Sequence, residues 1–239
     1  MKFLLLWLEA PLQSWGFDSR FDLRQTNNYP TMSGIYGILL ASSGDSGPQC
    51  ELLERMKGAR FTAFSFDRPE SESPSQLRDY HMIGSGYDHK DSWENHHIPK
   101  KLDGKAAGAA PGQVYGGIKQ TYRYYLQDKK FAVILGLEDD LAEKFGKSLQ
   151  APVFDLYLGR KCCVPTDFIF RGCFGTGEEA KACLKELAEA KGLVPGKCFR
   201  PAAQEEQTDD AFFIRDVPLE FGEHKRYADR CIMIEDFNF

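Results

Sequence analysis

From Ser71 to Gly117 the chain holds no repeating apolar period. The stretch mixes Ser, Gly, Pro and Asp with four of the five histidines, and it includes GKAAGAAPGQ at Gly104–Gln113. A run of more than forty residues without an element does not fit inside a compact domain, so it reads as a protrusion or a functional loop. The regular elements must then be sought on either side of it.

On the near side, Phe3–Leu8 is a β-type run, and a turn-rich stretch from Pro11 to Tyr29 follows. PTMSGIYGILLASSG, Pro30–Gly44, reads as a helix. Thr31 or Ser33 would cap it, Ile35, Ile38, Leu39 and Leu40 would form its apolar face, and Gly44 would end it. Gly34 and Gly37 each cost this helix roughly 1 kcal/mol against Ala, which points to close approach of another backbone. Leu52–Met56 reads as a short helix, and the alternating Arg60–Asp67 as a strand. On the far side come strands at Thr121–Leu126 and Phe131–Leu137. A helix at Glu138–Leu149 opens on Asp139 and Asp140, and a strand ends at Gly159. The order is strand, helix, strand, insertion, strand, helix, strand. It predicts an α+β, ferredoxin-like βαββαβ domain of the RRM/RAMP type over residues 1–165, with the insertion as a thumb over about 78–119. Phe168–Phe174, a helix at Glu178–Lys191 and strands near Phe212–Leu219 and Cys231–Ile234 are expected to form a small β-rich C-terminal domain over 166–239.

The chain has 239 residues, 42% of them hydrophobic and 27% charged, which suits one sizeable core and excludes a disordered chain. Phe3–Leu8 is too short to span a bilayer, and Glu9 follows it where a signal peptide would have small residues, so no membrane partner is expected. Seven cysteines without a single Cys-x-x-Cys pair argue against a zinc ribbon or a disulfide framework. They suit free thiols in a reducing cytoplasm, with no metal or cofactor. The net charge is −5, but residues 78–130 carry +3 and the remainder −8, so one sector can still hold a phosphate backbone.

Three stretches carry candidate chemistry. Gly159-Arg160-Lys161 joins a glycine that admits close approach to a planar guanidinium and a mobile ammonium. That makes a phosphate contact, with a solvated turn as the alternative reading. Arg78-Asp79-Tyr80-His81 opens the insertion. Tyr80 and His81 suit base stacking and hydrogen bonding, or, with Lys100, Lys101 or Lys119 stabilising charge, acid–base cleavage of RNA. Thr121–Leu126 interleaves Tyr122, Tyr124 and Tyr125 with Arg123, a stacking and phosphate platform or a strand with one buried face. Adjacent Cys162 and Cys163 are awkward ligands for one tetrahedral metal. His89, His96 and His97 match no ligand spacing. No phosphate-binding Gly-Lys-Ser/Thr loop, nucleophile elbow or dinucleotide fingerprint is present.

Six motifs, in this order and spacing, resemble the CasD family, the RAMP-type subunit of the CRISPR type I-E Cascade complex. They are APLQSWG (Ala10–Gly16), Arg24 with Thr26, PTMSGIYGILLASSG, RDYHM (Arg78–Met82), YRYYLQDKKFAV (Tyr122–Val133) and LYLGRKCCVP (Leu156–Pro165). At Met32, where the family often carries a basic residue, this chain has a thioether. The resemblance implies a non-catalytic subunit that binds the 5′ handle of the crRNA. Such a subunit caps a filament of CasC-type backbone subunits, touches a CasA-type large subunit, and meets target DNA through the assembled complex. It implies RNA contacts at Trp15, Arg24, Thr31, Ser33, Gly34, Arg78, Tyr80, His81, Arg123, Tyr125, Tyr157, Gly159, Arg160 and Lys161, and partner contacts along the thumb at Lys100, Lys101 and Lys119. The alternative is a metal-independent endoribonuclease that processes precursor crRNA.

Overall fold

The computed structural model describes residues 1–16, 19, 22–67, 76–83, 91–93, 119–203 and 211–239. The chain forms two compact units, one of Met1–Phe17, Gln25–Leu77 and Tyr125–Phe239, the other of Asp18–Arg24 and Arg78–Tyr124.

The first unit is built on a seven-stranded sheet. Its strands are β1 (Lys2–Glu9), β6 (Arg60–Asp67), β9 (Lys130–Leu137), β10 (Phe170–Phe174), β11 (Val194–Pro201), β12 (Phe212–Glu220) and β13 (Arg226–Asp236), in the order β10-β1-β9-β6-β11-β13-β12. Every neighbouring pair is antiparallel. Short strands β2 (Leu12–Gln13), β3 (Trp15–Gly16), β4 (Leu23–Arg24) and β5 (Thr26–Asn27) follow β1, and β7 (Gln76–Ile83) and β8 (Lys119–Gln127) flank the insertion.

The centre of the sheet is covered on both faces, which is why β1 and β9 read as unbroken apolar runs with no polar alternation. Leu4, Leu6 and Leu8 of β1 join Phe131, Val133 and Leu135 of β9 on one face, under helices α1 (Met32–Ser43) and α3 (Asp139–Gln150). Leu5 and Trp7 join Ala132 and Ile134 on the other, under Ala180, Leu184 and Ala188 of α4 (Gly177–Ala190). Successive strand residues point to opposite faces, so one strand supplies both cores. A short α2 (Cys50–Met56) adds Leu53 and Met56 to the first core.

Helix α1 begins as the sequence predicts. Thr31 is the N-cap, accepting from Gly34 N–H, and Gly44 at φ +75° ends the helix. Two expectations are corrected. Residues Asp155–Leu158 form no strand. The edge beside β1 is taken by β10, and the Leu158 backbone bonds instead to Ser14 N–H and to the Cys163 carbonyl. Residues 166–239 form no separate small domain either. Their strands β10 to β13 complete the sheet started by β1, and their helix α4 covers its second face. Two longer strands were missed: β7, which runs over Gln76–Ile83 inside the stretch expected to hold no element and pairs with β8, and β11, whose Pro195 and Gly196 hid a strand that lies between β6 and β13.

Among the described residues, no helix is long and apolar enough to cross a membrane.

Candidate nucleic-acid interface

In the first unit the candidate residues gather around one loop, Leu156–Cys163. Its ends are fixed. Val153 N–H and Phe154 N–H donate to the carbonyls of Ser42 and Ala41 at the end of α1. Further on, Thr166 N–H donates to the Glu9 carbonyl, and Trp7 N–H to that of Ile169. Its middle is closed on itself: Leu158 N–H donates to the Cys163 carbonyl (2.8 Å) and Cys163 N–H to that of Arg160 (2.8 Å). Ser14 N–H also donates to the Leu158 carbonyl, at 3.0 Å. Leu158 and Cys163 are buried, while Gly159, Lys161 and Cys162 are exposed at the tip. Gly159 sits at φ +103°, and a Cβ there would lie 1.8 Å from the Ser14 carbonyl oxygen. Only glycine lets the loop press onto this backbone.

Arg160 is held at the tip by an aromatic shelf. Its guanidinium lies over the Tyr125 ring, 4.6 Å from the centroid, and the Cys162 thiol donates to the Tyr125 hydroxyl at 3.5 Å. Tyr125 is itself buried. Burial, together with the Cys162 thiol, pushes its hydroxyl above the usual range, although the Arg160 charge opposes the shift. Half-buried Tyr157 donates to Asp155 at 3.4 Å.

Behind the loop stands Trp15. It is fully buried; its backbone N–H donates to Thr26 Oγ1 (2.8 Å) and its indole N–H to Gln13 Oε1 (3.2 Å). A Cβ on Gly34 would lie 2.8 Å from the indole ring, so the first turn of α1 presses its backbone against Trp15. Trp15 therefore has no exposed face for a base, and Thr31, also buried, spends its hydroxyl on the helix cap with Ser33 Oγ beside it. These residues form the backing of the loop. Met32 N–H at the same helix end already donates to Asp216, so that end is not an open anion site.

The second unit holds a different arrangement. Arg78 and Tyr80, on one face of β7, meet Tyr122 of β8. The Arg78 guanidinium lies 4.5 Å from the Tyr122 ring centroid, and the Tyr80 and Tyr122 rings are 5.2 Å apart. Tyr80 stays 47% exposed, which leaves a ring face for stacking. On the opposite face of β7, His81 contacts the Asp79 carboxylate. The parallel pair of β4 with β8 sets Arg24 in register with Arg123. Lys119 opens β8. Lys100 and Lys101, and most of the expected thumb, lie outside the described residues.

Sequence reasoning missed Ser14, Gln13 and Asp216. Gln13 and Ser14 lie inside APLQSWG, but neither side chain signals a contact, since Ser14 matters through its backbone; Asp216 meets α1 only through the fold.

A model of the CRISPR-associated protein (Cas5) family matches residues 3–230. The chain is similar to the CRISPR system Cascade subunit CasD of Escherichia coli strain K12, at 27% identity over 191 residues, covering 77% of this chain and 76% of that protein. A chain of a solved CRISPR RNA-guided surveillance complex superposes with a TM-score of 0.72 at 26% identity, covering 98% of this chain and 89% of the other. A second solved structure, described as a Cas protein, gives 0.55 at 25% identity over 98% and 94% of the two chains. With the family match running almost from end to end, this chain belongs to the Cas5 family of CRISPR-associated proteins.

Proposed function

We propose that this chain is a non-catalytic subunit of a type I-E Cascade that holds the 5′ handle of the crRNA. In that reading it caps a filament of CasC-type backbone subunits, contacts a CasA-type large subunit, meets target DNA only through the assembled complex, and works in the cytoplasm. The observation that carries it is the Gly159 loop: a turn closed by backbone bonds, pressed onto Ser14, that offers half-buried Arg160 and exposed Lys161 at its tip. Membership of the Cas5 family and the likeness to a CasD subunit support the Cascade role. The order β10-β1-β9-β6, with α1 between β1 and β6 and α3 between β9 and β10, supports a ferredoxin-like core whose fourth strand is β10.

The physical fit is to single-stranded RNA. Its unstacked bases need flat rings, which Tyr80 and Tyr122 supply, and its phosphates need cations. Arg24 and Arg123, in register across β4 and β8, add cations for those phosphates. The thumb, including Lys100, Lys101 and Lys119, is assigned to the handle and to the neighbouring backbone subunit.

Co-expression with the other subunits and a repeat–spacer transcript tests the assignment: the tagged chain should co-purify with crRNA and CasC-type protein. Recovery of the chain alone defeats it. The second reading, a metal-independent endoribonuclease, draws on the Asp79–His81 contact, which orients an imidazole on the face of β7 opposite Tyr80. Purified protein incubated with repeat RNA in EDTA should leave the RNA intact. Specific cleavage lost in His81→Ala would establish the nuclease instead.

A further inference from the structure

The C-terminal hairpin of β12 and β13 carries a buried ion pair whose role is not explained by the sheet it belongs to. The register of the hairpin slips between Arg215 and Val217, so Asp216 is the extra residue of a β-bulge. A bulge re-aims a side chain out of the ladder. Here the Asp216 carboxylate, 2% exposed, turns to the first turn of α1 and accepts from Met32 N–H at 2.8 Å. Arg230 of β13 grips the same carboxylate through two bonds, of 2.6 and 2.9 Å, with its guanidinium 4.8 Å from the centroid of the Phe61 ring. One guanidinium nitrogen, Nη1, is buried without a hydrogen-bond partner. Well-packed apolar residues generally serve a core as well as a buried ion pair, and this pair leaves a donor unsatisfied. Its value lies in where it holds α1.

From that helix end the contacts run without slack to the loop. Thr31 caps Gly34, and the Gly34 backbone lies on the Trp15 ring. Ser14, the residue before Trp15, donates to Leu158 and meets Gly159 through its carbonyl. We infer that Asp216 is a positioning residue for the Gly159 loop: the C-terminal hairpin fixes the first turn of α1, and that position passes through Gly34, Trp15 and Ser14 to the turn that presents Arg160 and Lys161. The clamp rests on the proposed RNA role for its purpose but not for its mechanics.

A line of contacts becomes a coupling only when a change at one end is read at the other. Hydrogen exchange of the full chain without RNA reads it directly. In Asp216→Asn, amides of residues 12–16 and 156–163 should exchange about tenfold faster, while those of β9 keep their protection. Faster exchange confined to the hairpin and the first turn of α1 overturns the inference. The paired variant Asp216→Leu/Arg230→Met removes both charges without leaving one buried alone, and should give the same pattern if the asparagine variant does not fold. Binding of a fluorescein-labelled single-stranded RNA of the repeat sequence gives the second reading. Asp216→Asn should weaken it about fivefold, and less than twofold when Arg160 is already alanine. Equal losses in both backgrounds count against the clamp. Absence of RNA binding by the wild type defeats the proposed function, and the exchange pattern still decides the clamp.

Discussion

Gly159 and Ser14 touch backbone to backbone: a β-carbon on the first would penetrate the carbonyl of the second, 1.8 Å from its oxygen. The loop that offers Arg160 and Lys161 is therefore seated by an absence of side chain, and it is further fastened by backbone bonds at Leu158, Arg160 and Cys163 and by Arg160 and Cys162 against Tyr125.

Gly159→Ala should unseat it. The substitution adds a positive φ that alanine disfavours to a collision with main chain that cannot rotate away. A cost of about 3 kcal/mol is expected, read as a lower midpoint in urea denaturation with an unchanged slope. Loss of RNA binding should accompany it. A variant as stable as the parent would show that Ser14 and Gly159 are apart in solution.

Arg160→Ala and Lys161→Ala address the phosphate contacts. If both cations neutralise RNA phosphates, each removal lowers the slope of log affinity against log salt by about 1. Anisotropy titrations across a salt series measure this. An unchanged slope would place both side chains in solvent.

The rings of the second unit make a separate prediction. Tyr80→Ala or Tyr122→Ala should weaken binding by about 1–3 kcal/mol per stacked base, with Tyr80→Phe close to neutral, because stacking uses the ring and not the hydroxyl. Equal losses for Phe and Ala at position 80 would move the interaction to the hydroxyl.

Cys163 predicts an alkaline limit to stability. Burial pushes its thiol from the ordinary 9 up to about 12. The folded chain thus keeps a proton that the unfolded chain has released, so this contribution is whole below pH 9 and is lost as pH rises toward 12. Its slope approaches about 1.4 kcal/mol per pH unit within that window. Cys163→Ala should flatten the curve of unfolding free energy above pH 9. A curve unchanged by the substitution would assign the loss to other groups.

Asp216→Ala should cost about 3–5 kcal/mol, because it leaves the Arg230 charge buried and unpaired. Asp216→Leu with Arg230→Met should restore most of the melting temperature. Equal damage from the single and double variants would show that charge burial is not the cause.

Local pattern made the helices and most strands legible. Thr31 and Gly44 bracket α1 by cap chemistry, and the periodic Leu141, Phe145 and Leu149 mark α3. The segment Leu156–Leu158 misled, because a short apolar run before a glycine has the composition of a strand, and only competition from β10 for the edge of β1 denies it partners. β11 was hidden by a proline and a glycine, which its neighbours on both sides override. At the site, the cations and rings were legible by type. What the sequence withheld was which of them face outward: Thr31 and Tyr125, expected to contact RNA, are buried, as is Trp15.

The loop's two ends are bolted to different pieces of the first core, the tail of α1 on one side and β1 on the other. A span moored at both shores can change its deck without moving its piers. Residues 160–162 are thus the natural place to exchange cations for other recognition chemistry, in a laboratory graft or in a lineage whose nucleic acid has drifted, while the rest of the sheet stays as it is.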